Sequence, residues 1–192
     1  MFCKVIDRGK SRKLYLYSLG KKNYKKIKGL DSVDQKGQHM RWNSLRDEWV
    51  FYSPLRQSRT FLPSENNCPL CASVKGKTLT DIPVADYEIA VFDNRFSALS
   101  IVSQNITKIE GILNEQSYGR CEVVSYTSNH NASLKTLSIE QVSLLMKVWS
   151  ERYMHLMQDK NIIERLVSEL CDDLYQDGVE YAEIRYAPNL HG

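Results

Sequence analysis

The pattern of apolar positions changes period along this 192-residue chain. "EWVFYS" (48–53) and "YEIAVFD" (87–93) are short runs rich in aromatic and branched side chains, bounded by turn formers, and they predict strands. "RCEVVSYT" (120–127) predicts a third strand, with Cys121, Val123 and Ser125 on one face and Glu122, Val124 and Tyr126 on the other. Then the spacing lengthens. Val142, Leu145, Trp149, Tyr153 and Leu156 recur every three or four residues, the stripe of a core-facing helix over 139–158. Ser138 and Gln141 fit a capping box at its start, and His155 falls beside the stripe at a boundary position. A second helical period covers 162–177 through Ile163, Leu166, Val167, Leu170 and Leu174. Gly178 stands where a left-handed C-cap is wanted, and "VEYAEIRYA" (179–187) predicts a strand ended by Pro188. A helix, a glycine and a strand in that order suit one unit of a parallel α/β sheet or barrel, unlike the α+β body before it.

Three zones follow: a basic extension (1–38), a mixed body (39–161) and the helix–strand tail (162–192). The net charge of +3 hides their asymmetry. Residues 1–38 hold 11 Lys and Arg against 3 Asp and Glu, whereas 39–192 hold 15 against 20. Clustered cations can displace counterions from a nucleic acid. A charge run alone is weak evidence, and the tyrosines within it do not recur regularly, so a solvated, poorly ordered extension is the expectation. Apolar residues at 42% and charged residues at 26% are in the globular range. No apolar run approaches the roughly 18 residues needed to span a bilayer, and no apolar leader opens the chain. A reducing, cytoplasmic setting is therefore expected. Five cysteines, an odd and sparse set, favour thiols or a metal site over disulfide bridges.

Pro54, Pro63 and Pro69 punctuate a long loop that carries "CPLC" (68–71). A redox pair belongs at a helix N-terminus beside a strand, where the dipole lowers a thiol pKa; a loop with Pro69 between the cysteines is a poor setting for that. Two incidental thiols are a second reading. A metal site is the favoured one, because two thiolates at this spacing reach one tetrahedral ion in a tight turn. Among His39, His130, His155 and His191, His130 in "YTSNHNASL" follows the third strand at an expected turn and is the best placed third ligand. There is no second CxxC, no HxH and no HxxxH.

"RWNSLRDEWVFYSPLRQSR" (41–59), "CPLC" (68–71), "YEIAVFDNRFSAL" (87–99) and "GRCEVVSYTSNHNASLKTLS" (119–138), taken in that order, resemble the N-terminal half of the galactose-1-phosphate uridylyltransferases. The resemblance covers about 39–161. It implies an α+β fold with a histidine-triad-like antiparallel sheet and a packed helix, of which this chain would hold a part. It implies uridylyl transfer from UDP-glucose to galactose 1-phosphate through a uridylyl-histidine, in a homodimer. Covalent catalysis of that kind runs as two displacements. By the same resemblance Cys68, Cys71 and His130 are ligands of a zinc, or iron, ion. Arg56 and Arg59, in "SPLRQSR", approach the nucleotide sugar, and guanidinium forks suit phosphate oxygens. Asn94 falls on the nucleotide-binding turn, with Arg95 beside it where some members carry an acid. Otherwise these residues are surface or turn positions.

The family's His-Pro-His-Pro-His run, which supplies the nucleophile and a fourth metal ligand, has no counterpart in this sequence. The tail "ERLVSELCDDLYQDGVEYAEIRYAPNL" (164–190) instead resembles adenosine deaminase at a helix and strand of its TIM-type barrel, without that family's zinc ligands. A chain joining pieces of two genes is expected, and sequencing the transcript across codons 155–170 tests it. The expected function is thus an inactive uridylyltransferase portion. The alternative is a zinc-stapled module whose basic arm meets nucleic acid or an acidic protein. Nucleic acid is the less favoured partner, and no membrane is expected.

Overall fold

The computed structural model describes residues 1–9, 12–30, 37–58, 63–74, 79–101, 105–106 and 108–157. The chain divides into two compact units, Met1–Leu145 and Met146–Gly192. The tail singled out at 162–192, with its predicted barrel-like helix and strand, lies outside the described residues.

The first unit holds two antiparallel sheets. Strands β1 (Phe2–Asp7), β2 (Lys13–Ser18), β5 (Ile89–Asp93) and β7 (Glu122–Ser125) form a four-stranded sheet in the order β1-β2-β5-β7. Strands β3 (His39–Asn43), β4 (Glu48–Tyr52) and β6 (Asn114–Gln116) form a three-stranded sheet in the order β4-β3-β6. Among the described residues one α-helix, α1 (Ile139–Met157), follows. The α+β reading with antiparallel pairing therefore holds, and the predicted strands at 48–53, 87–93 and 120–127 are β4, β5 and β7.

The basic extension, expected to be poorly ordered, holds two strands among its described residues, β1 and β2. "KLYLYS" is β2, and it pairs with β1 on one side and β5 on the other. Register sets Leu14 against Phe92 and Leu16 against Ala90, and these side chains share one face. Leu14, Leu16, Ala90 and Phe92 join Ile6, Ile82, Val84 and Tyr87 in a single core. Each large apolar side chain buried there contributes about 1.5–3 kcal/mol. The opposite face of the central strands is covered as well, since Tyr17, Ile89 and Val91 are buried. Beyond β2 the chain lies across the loop at 80–83, with Ile27 N donating to Pro83 O (2.9 Å) and Leu30 N to Thr80 O (3.0 Å). Gly29 permits this approach, because a Cβ there would stand 2.8 Å from Pro83 Cβ.

Helix α1 starts as its cap predicts. Gln141 N donates to Ser138 Oγ, and Ser138 N donates to Gln141 Oε1. Its buried face is rotated from the predicted stripe. Leu144, Leu145, Val148 and Arg152 are buried, whereas Val142, Trp149 and Tyr153 are 39%, 44% and 66% exposed. Of the predicted stripe, Leu145 alone is fully buried; the helical period holds and the phase does not. Hydrophobicity sets the period, but the long apolar stem of an arginine buries readily and can take a position that a hydropathy pattern gives to Trp or Tyr.

Candidate metal centre

Cys68, Cys71 and His130 come together although His130 is 59 residues from Cys71. Their ligand atoms all lie within 4.8 Å of one another, and Cys71 Sγ is 3.3 Å from His130 Nδ1. Metal bonds of about 2.0–2.3 Å at tetrahedral angles give ligand edges of about 3.5–3.8 Å, so this donor set fits one ion. Two thiols and an imidazole are the donors that suit zinc.

The local sequence builds the cysteine turn. A short 3-10 turn, Glu65–Asn67, ends at Cys68, whose N–H donates to Glu65 O. Cys71 N then donates to Cys68 O (3.4 Å), which folds both thiols to one side. The carbonyls between them are fastened from outside. Asp81 N donates to Pro69 O (2.9 Å), and Tyr87 Oη donates to Leu70 O (3.0 Å). Tyr87 Oη also stands 2.7 Å from Ser125 Oγ, at the end of β7, just before the turn that carries His130. Within that turn Asn131 N donates to Asn129 Oδ1 and Ala132 N to Asn129 O. Ser128 Oγ donates to Asp86 Oδ1 (2.7 Å), so the neighbouring residues 86 and 87 tie down both halves of the centre.

Electrostatics add a further constraint. Burial pushes the Cys71 thiol up to about 12, with the hydrogen bond it donates to Cys68, the Cys68 charge and Glu65 acting in the same direction. Without a cation the thiol therefore stays protonated at neutral pH, and metal uptake must release a proton. Burial likewise raises the Tyr87 phenol, keeping it a neutral donor. A cleft of about 560 Å³ opens beside the thiols, lined in part by Glu65, Asn67 and Ser128.

The four residues expected at a nucleotide sugar are placed less uniformly. Arg56 is exposed on a 3-10 turn, Pro54–Ser58, and Arg59 lies outside the described residues. Asn94 closes an Asx turn, its Oδ1 accepting from Phe96 N (2.9 Å), while its N–H donates to Cys121 O (2.8 Å). Ser53 Oγ donates to Ser97 O (2.9 Å), which hooks the start of the Arg56 turn to the segment after Asn94. Arg95 turns its fork onto Asp81, with Nε and Nη2 at 3.2 and 3.0 Å. Sequence reasoning missed Tyr87, Asp86 and Asp81. Tyr87 carried a faint signal as a large polar-tipped residue at the start of a predicted strand; the Asp81 contacts carried none.

The sequence has relatives among known proteins. The sequence profile of the family "Galactose-1-phosphate uridyl transferase, N-terminal domain" matches residues 28–169. "Galactose-1-phosphate uridylyltransferase" of Thermotoga maritima is 36% identical over 121 residues, 62% of this chain and 36% of that protein. A solved chain described as "Structure of uridylyltransferase" superposes with a TM-score of 0.48 at 18% identity, covering 64% of this chain and 36% of that one. A separate stretch of 36 residues is 47% identical to "Adenosine deaminase 1" of Streptomyces coelicolor, 19% of this chain and 9% of that protein. The chain thus spans about a third of the length of the uridylyltransferases it matches. With a match from 28 to 169 and a Cys–Cys–His centre inside it, this chain belongs to the galactose-1-phosphate uridyl transferase family, through that family's N-terminal domain.

Proposed function

We propose that this chain is the zinc-holding, nucleotide-sugar-binding portion of a UDP-glucose:hexose-1-phosphate uridylyltransferase with a histidine-triad-like sheet. The observation that carries the reading is the Cys68–Cys71–His130 cluster within the family match. Cys68, Cys71 and His130 would hold the ion, which supplies a structural staple between the cysteine turn and the turn after β7. Arg56, and Arg59 with it, would offer guanidinium donors to the phosphates of UDP-glucose, charge-assisted bonds that need no covalent partner. Asn94 would shape the turn that receives the nucleotide. Arg95, held on Asp81, acts in this reading as a positioning residue for that turn and not as a direct ligand.

Covalent uridylyl transfer to galactose 1-phosphate needs a histidine nucleophile, and these 192 residues contain no His-Pro-His run. The chain is therefore proposed to bind the donor nucleotide sugar without turning it over alone; binding outlasts the loss of a nucleophile in enzymes of this kind. Titration of the full 192-residue chain with UDP-glucose tests this. Saturable binding that Arg56→Ala weakens about tenfold, with no uridylyl transfer, is expected. Transfer at a normal enzymatic rate, or no nucleotide binding by zinc-loaded protein, would contradict the reading.

A further inference from the structure

The far end of the four-stranded sheet carries a second group of charged side chains. The β1–β2 turn brings Arg8 and Arg12 together, with Arg8 N donating to Arg12 O (3.0 Å) and Arg12 N to Gly9 O (3.1 Å). Gly9, at φ 78°, allows that turn. Arg8 Nη2 and Arg95 Nη2 both reach Asp81 Oδ1 at 3.0 Å, and Arg120 Nε reaches Asp93 Oδ1 at 3.2 Å. Arg12 Nη2 donates to the Asp93 carbonyl at 3.2 Å. Four guanidinium groups (Arg8, Arg12, Arg95, Arg120) thus face two carboxylates (Asp81, Asp93). Adding Asp7, Lys13 and Glu122 from the same strand ends still leaves the cations in excess among the described residues, five to four.

Two donors beside the turn, one on Arg8 and one on Arg12, have no acceptor among the described residues. Arg8 Nη1 and Arg12 Nε are shut from solvent and make no hydrogen bond. The Arg8 side chain is 6% exposed. A buried unmatched donor on a charged group is costly, and adjacent guanidinium groups repel. Burial, then repulsion from Arg8, holds Arg12 below its ordinary value. Water accepting from these donors would leave the excess charge in place; an oxyanion supplies both acceptors and negative charge, and the guanidinium fork matches its geometry.

We propose that Arg8 and Arg12 form a binding site for an oxyanion of the phosphate class at the β1–β2 turn, with Asp81 and Asp93 setting the two side chains in place. Both arginines precede residue 28, where the family match begins, so the site belongs to this chain's own N-terminal hairpin. It shares Asp81 with Arg95 of the turn assigned to the nucleotide sugar, but the unmatched donors that carry it lie on Arg8 and Arg12, so it does not depend on that reading.

The test uses the full chain, zinc-loaded, titrated with inorganic phosphate and separately with phenyl phosphate, a phosphomonoester without a sugar, against sodium chloride at equal ionic strength. Either phosphate should raise the melting temperature saturably, and chloride should not; whichever binds more tightly identifies a free anion or a phosphomonoester as the ligand. Arg12→Gln should weaken the binding at least tenfold and Arg12→Lys should recover part of it, with zinc content unchanged in both. No phosphate response in the wild-type chain, an equal response to chloride, or an unchanged affinity in Arg12→Gln would overturn the proposal. Should Arg12→Gln fail to fold, the wild-type titrations and Arg12→Lys still decide it.

Discussion

Where β5 begins, Tyr87 and Asp86 meet the cysteine and histidine turns through neutral or singly charged hydrogen bonds, and those contacts find matched partners. Where it ends, Asp93 and Arg95 belong to a group of four guanidinium groups and two carboxylates, and donors on Arg8 and Arg12 lack acceptors among the described residues. One end is assembled around acidic hydrogens that a cation would replace. The other is supplied with cations beyond what its carboxylates neutralise. Both ends hang on the same five-residue strand, whose buried centre fixes their separation. The lesson is that a single rigid strand can position two sites of opposite electrostatic demand, one short of positive charge and one short of negative.

The contrast can be broken most sharply at Asp81. It is 3% exposed and accepts from Arg8 and Arg95, so Asp81→Asn leaves two guanidinium groups without their counter-charge. A loss of about 3–5 kcal/mol in urea unfolding is expected, as for other buried pairs stripped of one partner. A loss under about 1 kcal/mol would show that the charged end is solvated. Leu16→Ala, in the middle of β2 opposite Ala90, probes the shared core and should cost about 2–4 kcal/mol by urea unfolding. A negligible effect would mean that the hairpin is not part of the folded unit. Tyr87→Phe touches the metal end alone. It removes the bonds to Leu70 O and Ser125 Oγ, and it should lower stability by about 1–2 kcal/mol. Zinc affinity should fall about tenfold, the usual order for a partner that orients ligands, in a chelator competition. If zinc affinity is untouched, Tyr87 has no part in setting the centre.

Much of the metal end was legible in the sequence, because its signals are local. The CPLC turn carries its own spacing, and His130 follows a strand whose pattern is clear. Strands β4, β5 and β7 and the cap of α1 are likewise written in short windows. The hairpin at 2–18 was not legible. The alternation in "KLYLYS" is flanked by lysines and arginines, and a charge count over 38 residues averages it away. Strands β3 and β6 escaped as well: β6 has three residues, all polar, and is a strand only because His39, Met40 and Arg41 pair with it. The buried phase of α1 escaped for a similar reason, since which face is covered depends on what packs there. The Arg8–Asp81 pair joins residues 73 positions apart, and no periodicity announces a pair of that kind.

The account rests most heavily on Cys68, Cys71 and His130 acting together on one ion. Its most direct test is metal content by mass spectrometry of the full chain after zinc loading and gel filtration, for wild type and for His130→Ala and Cys71→Ser. About one zinc per wild-type chain, falling to less than a fifth of that in either variant, is the predicted result. A wild-type chain that is folded yet zinc-free, or variants that keep the full complement, would contradict it.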